Sequence, residues 1–237
     1  MILASGVYAE SFLSQLREFF DATNGTNWNR NEGWTDGNNE DYCNWFGITC
    51  PLYTENVSHI DLPNNGLKGT IPSSIVTIST LKHMDLSNNA ITGTIPSSMA
   101  SLSDLMTLYL GNNQVSGTIP SDLMNLTVDY PTLQDVQLQY NRLEGTIPDA
   151  LFGPANLPIF HPKVPLQKLN LEYNAITGSI PDRIVRSESM TTLLLAGNHM
   201  KGNVSERVDE FLQILKYCDL TDQQFNFSEA VSEKCLH

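Results

Sequence analysis

One block of thirteen residues occurs in six copies along this chain, and this repeat restricts the possible folds more than any other feature. The copies begin at Ile60, Met84, Leu108, Val136, Leu169 and Leu193. The leucine at the third place of each copy follows the previous one after 24, 24, 28, 33 and 24 residues. Because a unit this short cannot bury its own apolar face, successive copies must stack into a solenoid. One coil therefore takes about 24 residues, and two coils carry insertions.

Apolar and polar residues alternate at the start of each copy, as they do from Ile60 to Leu62. This alternation directs one face of a short strand into a core and the other face to solvent. Stacked coils would join these strands into a parallel sheet with a spacing of about 4.8 Å. The Gly-Thr-Ile-Pro segment that ends the block, as in Gly69 to Pro72, predicts a turn, because glycine avoids a Cβ clash and proline stiffens the backbone.

An asparagine follows each strand at an inward position. These residues are Asn65, Asn89, Asn113, Asn141, Asn174 and Asn198. An unpaired buried amide costs about 1 to 3 kcal/mol, so we expect each side chain to bond backbone groups of its own and the next coil. In a seventh, degraded copy, Leu215, Cys218 and Leu220 take the inward positions, and Gln223 stands where the asparagine would be.

The four cysteines form two close pairs, Cys43 with Cys50 and Cys218 with Cys235. This placement predicts one local disulfide near each end, since the spacing of a zinc site is missing. Disulfides form in oxidising compartments, so we expect a secreted or lumenal protein. Five glycosylation sequons, at Asn24, Asn56, Asn125, Asn203 and Asn226, are compatible with secretion.

The formal net charge of −13 argues against binding to nucleic acid or to anionic membrane surfaces. No stretch approaches the roughly 18 apolar residues of a membrane span. Residues 1–9 are small and apolar, and they are either the remnant of a secretory signal or a frayed terminus.

The string LxxLxLxxNxLxGxIPxx resembles the plant-specific class of leucine-rich repeats, which is found in receptor-kinase ectodomains and in polygalacturonase-inhibiting proteins. The resemblance covers Val57 to about Ser205. Residues 10–50 resemble the N-terminal cap of the family, although the stretch from Asn24 to Trp28 is more similar to caps of microbial and algal repeat proteins. Caps shield the apolar ends of a stacked core.

The resemblance implies an α/β leucine-rich repeat solenoid of six to seven coils, with a parallel sheet on its concave face and disulfide-bonded caps. The expected parts are residues 1–9, the cap 10–56, the solenoid 57–205 with an insertion at 153–165, and a degenerate last repeat with a C-terminal cap at 206–237.

The concave face is where we expect a ligand. The outward residues proposed as ligand contacts are His59, Asp61, His83, Asp85, Tyr109, Gln137, Tyr140, Asn170 and Tyr173. Amides and tyrosines on an open face suit peptide or carbohydrate ligands, and the alternative is an ordinary solvated sheet. The repeated His-x-Asp would stack two imidazoles and two carboxylates, as a metal or pH-sensitive contact or as a mere result of the register. We predict neither a resident metal nor a cofactor.

Two further features leave alternatives open. The insertion 153–165 is rich in proline and carries Ile159 and Phe160, so it is either an exposed contact loop or filler against the convex side. A column of hydroxyls comprises Thr70, Thr94, Thr118, Thr146 and Ser179. Hydroxyl ladders occur in a leucine-rich ice-binding type of repeat protein.

The sequence lacks GxSxG, Walker and HExxH motifs, so we expect a binding protein and not an enzyme. The first hypothesis is an extracellular recognition module that binds protein, peptide or glycan through the concave face. A second is an inhibitor of a secreted hydrolase. A third is a structural or adhesive subunit of a larger assembly, which contacts partners through its edges, its caps and the 153–165 loop.

Overall fold

The computed structural model describes residues 5–36, 41–123, 132–152 and 164–236. Within them, three α-helices are α1 (Ser5–Ala22), α2 (Glu206–Ile214) and α3 (Glu229–Cys235). Short 3-10 helices span Gly25–Asn27, Tyr42–Asn44, Ser73–Thr77, Ser97–Ser101, Asp149–Phe152 and Asp182–Arg186. Helix α1 includes residues 5–9 of the segment interpreted as a signal remnant or frayed end. The predicted contact residues Ile159 and Phe160 lie outside the described residues.

Short strands follow one another along the solenoid. They are β1 (Ile48–Thr49), β2 (His59–Asp61), β3 (Lys68–Thr70), β4 (His83–Asp85), β5 (Ala90–Thr92), β6 (Thr107–Tyr109), β7 (Ser116–Thr118), β8 (Asp135–Gln137), β9 (Arg142–Thr146), β10 (Lys168–Asn170), β11 (Ala175–Gly178), β12 (Thr192–Leu194), β13 (His199–Asn203), β14 (Tyr217–Asp219) and β15 (Gln224–Asn226).

The predicted sheet has the order β1-β2-β4-β6-β8-β10-β12-β14. All neighbours from β2 to β14 are parallel, and only the cap strand β1 is antiparallel, to β2. Equivalent repeat positions are in register, so that His59 lies beside His83 and Asp61 beside Asp85. The α/β solenoid predicted from the sequence is therefore confirmed, with the degraded seventh copy as β14.

The Gly-Thr segments correct one prediction, because they form strands and not merely turns. Strands β15, β13, β11, β9 and β7 make a second sheet, and β3 pairs with β5. Gly145 is at φ 79°, and an added Cβ there would lie 2.9 Å from Thr118 Cγ2. Glycine is thus needed so that the methyl group of one coil can pack on the backbone of the next. All five residues of the predicted column of hydroxyls are exposed. Thr118 and Thr146 lie in strands of the second sheet, and Thr70 lies in β3.

The asparagine side chains bind backbone groups of their own coil, as predicted, but their other partners lie in the preceding coil and not in the next one. Asn89 Nδ2 donates to the carbonyls of Leu62 and Leu86 at 2.9 Å each, and its Oδ1 accepts from the N–H groups of Asn65 and Leu67. Gln223 takes the same role in the last coil, where its Nε2 donates back to the Leu195 carbonyl at 3.1 Å.

The N-terminal cap completes this ladder at its first rung. Asn65 has no earlier coil to contact, and it bonds Arg30 instead. The Arg30 N–H donates to Asn65 Oδ1 at 2.7 Å, and Asn65 Nδ2 donates to the Arg30 carbonyl at 2.9 Å. Behind these contacts, Phe20 stacks on Trp34 at 5.8 Å, and Trp28 meets Trp34 edge to face at 5.0 Å. The cap thus closes the apolar end of the core with aromatic rings.

Both predicted disulfides are present. Cys43–Cys50 lies in the N-terminal cap, and Cys218–Cys235 joins β14 to α3. Asp209 also holds α2 to the start of α3, because its carboxylate accepts hydrogen bonds from the N–H and the hydroxyl of Ser228. The disulfides indicate an oxidising compartment. No helix in the described ranges is both long and apolar enough to cross a membrane.

Candidate functional site

The candidate site is the outward face of the eight-stranded sheet, here called the concave surface. Its side chains come from the two outward positions of each strand and from the residues just after the strand. Because the inward positions are filled by the core, these outward residues can differ between coils without disturbing it. Three groups of side chains stand out on it.

A histidine pair occupies the N-terminal end of the concave surface. The rings of His59 and His83 stack with centroids 4.2 Å apart and planes at 20°. His59 Nδ1 lies 2.8 Å from Ser58 Oγ, and His83 Nδ1 lies 2.8 Å from Thr107 Oγ1. The predicted stacking of the two imidazoles is thus present, and each ring is oriented by a hydroxyl.

Burial and neighbouring charges shift the pKa values of His83 and Asp61. Burial, followed by the nearby His59, lowers the pKa of His83, while Asp61 opposes that change. Burial also raises the pKa of Asp61, with His59 opposing and Asp85 adding to the effect. Among the described residues, no group of three or more histidine, cysteine or acidic side chains is placed to hold a metal ion.

A polar network lies at the centre of the concave surface around Asp135, which is only 8 % exposed. Its carboxylate accepts from the Tyr109 hydroxyl at 3.1 Å and from Gln137 Nε2 at 2.5 Å, and it pairs with Lys168 Nζ at 3.2 Å. Burial and the adjacent Asp135 raise the pKa of Tyr109 to about 12, so its hydroxyl stays protonated. Asp135 therefore holds three neighbouring side chains in fixed positions.

Asn170 is the predicted contact residue that the structure places least favourably for a ligand. Its side chain is 7 % exposed, and its Oδ1 accepts the Glu172 N–H at 3.0 Å. Its role is thus at least partly to orient the turn that follows β10. A ligand would meet the neighbouring Lys168 more readily, because that side chain is half exposed.

Tyr140 and Tyr173 form the third group, here called the tyrosine shelf. They follow β8 and β10 and do not lie within the strands. Their rings are stacked with centroids 4.5 Å apart and planes at 10°, and they are 50 % and 47 % exposed. Both have a positive φ, 55° and 52°. The shelf therefore offers aromatic surface at the margin of the concave surface.

Several residues that shape these groups were not predicted from the sequence. Asp135, Lys168 and Glu172 were absent from the predicted contacts. Asp135 and Lys168 occupy the same strand position as the two histidines, so an alignment of the coils could have identified them as outward-facing residues. The exposed Leu52 and Tyr53, in the loop after Cys50, had no such signal because they lie outside the repeat.

The solenoid, its amide ladder and its capped ends define a leucine-rich repeat protein. The Leucine rich repeat family matches residues 55–115 and 165–186, and the Leucine rich repeat N-terminal domain matches residues 12–51. The chain is a leucine-rich repeat protein, and it is similar to those of plant receptors.

Solved structures of plant receptors share this fold. The chain is 26 % identical to PEPR1 in the PEPR1–AtPEP1 structure, with a TM-score of 0.73, and the match covers 91 % of this chain and 31 % of that one. It is 28 % identical to the plant peptide hormone receptor RGFR1, solved with RGF2, with a TM-score of 0.61 and coverage of 72 % and 25 %. The chain thus spans about a third or less of these receptor chains.

A third likeness is to a structure of similar length. The leucine-rich repeat ectodomain of the receptor kinase SOBIR1 from Arabidopsis thaliana is 25 % identical, with a TM-score of 0.59 and coverage of 78 % of this chain and 91 % of that one. No curated protein sequence matches the chain.

Proposed function

We propose that this chain is a non-catalytic extracellular recognition module that binds a peptide or an extended protein segment through the concave surface. The observation that carries the proposal is the arrangement of that surface. The stacked histidines, the Asp135 network and the tyrosine shelf lie on successive coils of one sheet and present donors, acceptors and rings to solvent. An extended ligand lying across the strands would meet them in turn.

The likeness to peptide receptors supports the same proposal. Two of the similar structures contain, by their descriptions, a plant peptide hormone receptor with RGF2 and PEPR1 with AtPEP1. The Asp135 network also favours recognition, since side chains already held in position lose little entropy when a ligand binds.

Selection from a displayed library of random peptides tests this function. The parent protein is compared with a concave variant carrying Asp61→Ala, Tyr109→Phe and Gln137→Ala. A matched control carries Lys68→Ala, Glu144→Ala and Lys201→Ala, which are exposed positions on β3, β9 and β13, outside the concave surface. We expect selected peptides to bind the parent and the control and to lose at least about tenfold in affinity for the concave variant.

The alternatives give different results in that experiment. Peptides that bind all three proteins equally would overturn the concave surface as the site. The inhibitor hypothesis would be favoured if the best peptides matched a surface segment of a secreted hydrolase. The hypothesis of a larger assembly has one observation in its favour, the exposure of Ile214 and Tyr217 beside the C-terminal cap. It predicts self-association that Ile214→Ser abolishes in sedimentation measurements.

A further inference from the structure

The tyrosine shelf occupies a backbone conformation that aromatic residues rarely adopt. Tyr140 and Tyr173 stand at the position held in the first three coils by Asn64, Asn88 and Asn112, and all five have φ between 51° and 57°. The left-handed region disfavours bulky side chains, whereas asparagine tolerates it. The solenoid itself would be served better by asparagine, so the fold does not explain the two tyrosines.

The next coil is adapted to the shelf. Gly197 takes the equivalent position with φ 67°, and an added Cβ there would lie 2.6 Å from Tyr173 Cδ1. Tyr173 therefore has the Gly197 backbone on one side and the Tyr140 ring on the other. Tyr140 is stacked only on Tyr173, and no other ring or cation among the described residues contacts it. Tyr140 is 50 % exposed, and its other neighbour in the column is Asn112, whose side chain is shorter, so the outer part of the second ring face is open to a ligand.

An acidic side chain lies next to the shelf without a cation. The Tyr140 N–H donates to the Glu172 carbonyl at 2.9 Å. Burial raises the pKa of the Glu172 carboxyl, with a hydrogen bond from Asn170 opposing and Asp219 adding to the effect. Within the described part of the chain, no lysine, arginine or histidine comes within ion-pair distance of Glu172. The same carboxyl acts on Tyr140, whose pKa is raised by desolvation, then by Tyr173 and Glu172.

We propose that the tyrosine shelf binds an arginine side chain of the ligand, with the guanidinium stacked on the free face of Tyr140 and its charge balanced by Glu172. A planar, weakly hydrated cation suits a tyrosine face, and a lysine would gain the charge interaction without the stacking. The net charge of −13 also favours a basic ligand. This inference rests on the proposed function and names the chemistry of one ligand residue.

Nuclear magnetic resonance with 13C-labelled tyrosine rings tests the shelf directly. The parent protein is titrated with N-acetyl-arginine methylamide, with its neutral isostere N-acetyl-citrulline methylamide, and with methyl β-glucoside. We expect the arginine compound to shift the ring signals of Tyr140 and Tyr173 and to bind about fivefold more tightly than the citrulline compound. Added salt should weaken the arginine compound more than the citrulline compound.

Variants separate the shelf from the rest of the protein. Tyr140→Asn restores the residue of the first three coils, so it should keep the fold and abolish the shifts at Tyr173. Glu172→Gln should reduce affinity for the arginine compound and leave the citrulline compound unchanged. Tyr53→Asn is the matched control, because Tyr53 also has a positive φ, 65°, but is fully exposed and lies in the N-terminal cap. It should have no effect.

Three results would overturn the inference. They are equal binding of the citrulline compound, arginine binding that survives Tyr140→Asn, and shifts at the shelf from the glucoside alone. The proposed function fails independently of these results. If the selected peptides bind the concave surface but contain no basic residue, only the arginine subsite is overturned. If the arginine compound binds the shelf but no selected peptide depends on the concave surface, only peptide recognition is overturned.

Discussion

The N–H of Ile91 donates a 2.9 Å hydrogen bond to Oδ1 of Asn113, which lies one coil further along the solenoid. Nδ2 of the same side chain donates to the carbonyl of Leu86 at 2.9 Å and to that of Leu110 at 3.0 Å. Asn113 is 9 % exposed, so water cannot replace these partners. One amide therefore satisfies backbone groups in two adjacent coils.

Asn113→Ala should lower the free energy of unfolding by about 3 kcal/mol, because it leaves buried N–H and carbonyl groups unpaired. Denaturant titration measures the loss. The control is Asn112→Gly at the exposed neighbouring position, where φ is 57° and glycine is tolerated. We expect it to change stability by less than about 0.5 kcal/mol. Similar losses in both variants would show that the ladder is not what Asn113 contributes.

Gly145→Ala should destabilise the second sheet by about 1 to 2 kcal/mol, because alanine at φ 79° is strained and its methyl group would press on Thr118 Cγ2. Thr118→Ser removes that methyl group and should cost little alone. In the double variant we expect part of the loss to be recovered, which denaturant titration of all four proteins measures. Strict additivity of the two changes would contradict the contact.

Asp209→Asn should destabilise the C-terminal cap by about 1 kcal/mol at neutral pH. Desolvation raises the pKa of Asp209, but hydrogen bonds from Ser228 and Gln213 outweigh it and hold the pKa below its usual value. A lowered folded pKa gives stability that is present above the unfolded pKa, about 3.9, and is lost as the pH falls through the folded pKa.

Thermal melts across this acid range measure the effect of Asp209→Asn. The difference between the parent and the variant should therefore shrink in acid. Glu210→Gln, on the same helix and exposed, is the control and should show no such dependence. A difference that persists unchanged below about pH 3 would contradict a role for the Asp209 charge.

Glu172→Gln should raise the stability of the protein at neutral pH. The folded pKa of Glu172 is raised chiefly by burial, so its favourable contribution is complete below the unfolded pKa, about 4.3, and is lost as the pH rises through the folded pKa. The ionised carboxylate therefore destabilises the folded protein at neutral pH, and replacement by glutamine removes this effect. Denaturant titration at neutral and acid pH measures the gain, which should vanish in acid.

The control for Glu172→Gln is Glu144→Gln, which replaces an exposed carboxylate on β9. It should leave stability nearly unchanged at both pH values. If Glu172→Gln proved less stable than the parent at neutral pH, the carboxylate would already be balanced in the folded protein. The arginine subsite would then lose its electrostatic argument.

The strands of the concave surface and the amide ladder were predictable because the period of apolar residues determines which side chains face the core. The stacking of His59 on His83 followed from the same register. The second sheet was not predictable in this way, since a segment such as Ser116–Thr118 has no alternation of apolar and polar residues.

Other parts of the site depend on side-chain and backbone conformations that no repeat pattern specifies. The alignment placed Tyr140 and Tyr173 in one column, but their left-handed backbone was visible only in the structure. The convergence of Gln137 and Lys168 on Asp135 depends on rotamers, and so does the burial of Asn170. The sequence thus predicted which residues face outward from the sheet. The contacts among their side chains were visible only in the structure.

The amide ladder gives the solenoid a direction. Every ladder side chain from Asn89 to Gln223 donates to a carbonyl of the coil before it, and Asn65 does the same to Arg30 in the cap. A newly added coil at the C-terminal end would bring its own amide and would leave every earlier amide undisturbed. Removal of the N-terminal cap would instead leave the Asn65 amide without the hydrogen bonds that Arg30 provides. Loss of the last coil would therefore leave every remaining ladder amide with its partners, whereas loss of the N-terminal cap would not.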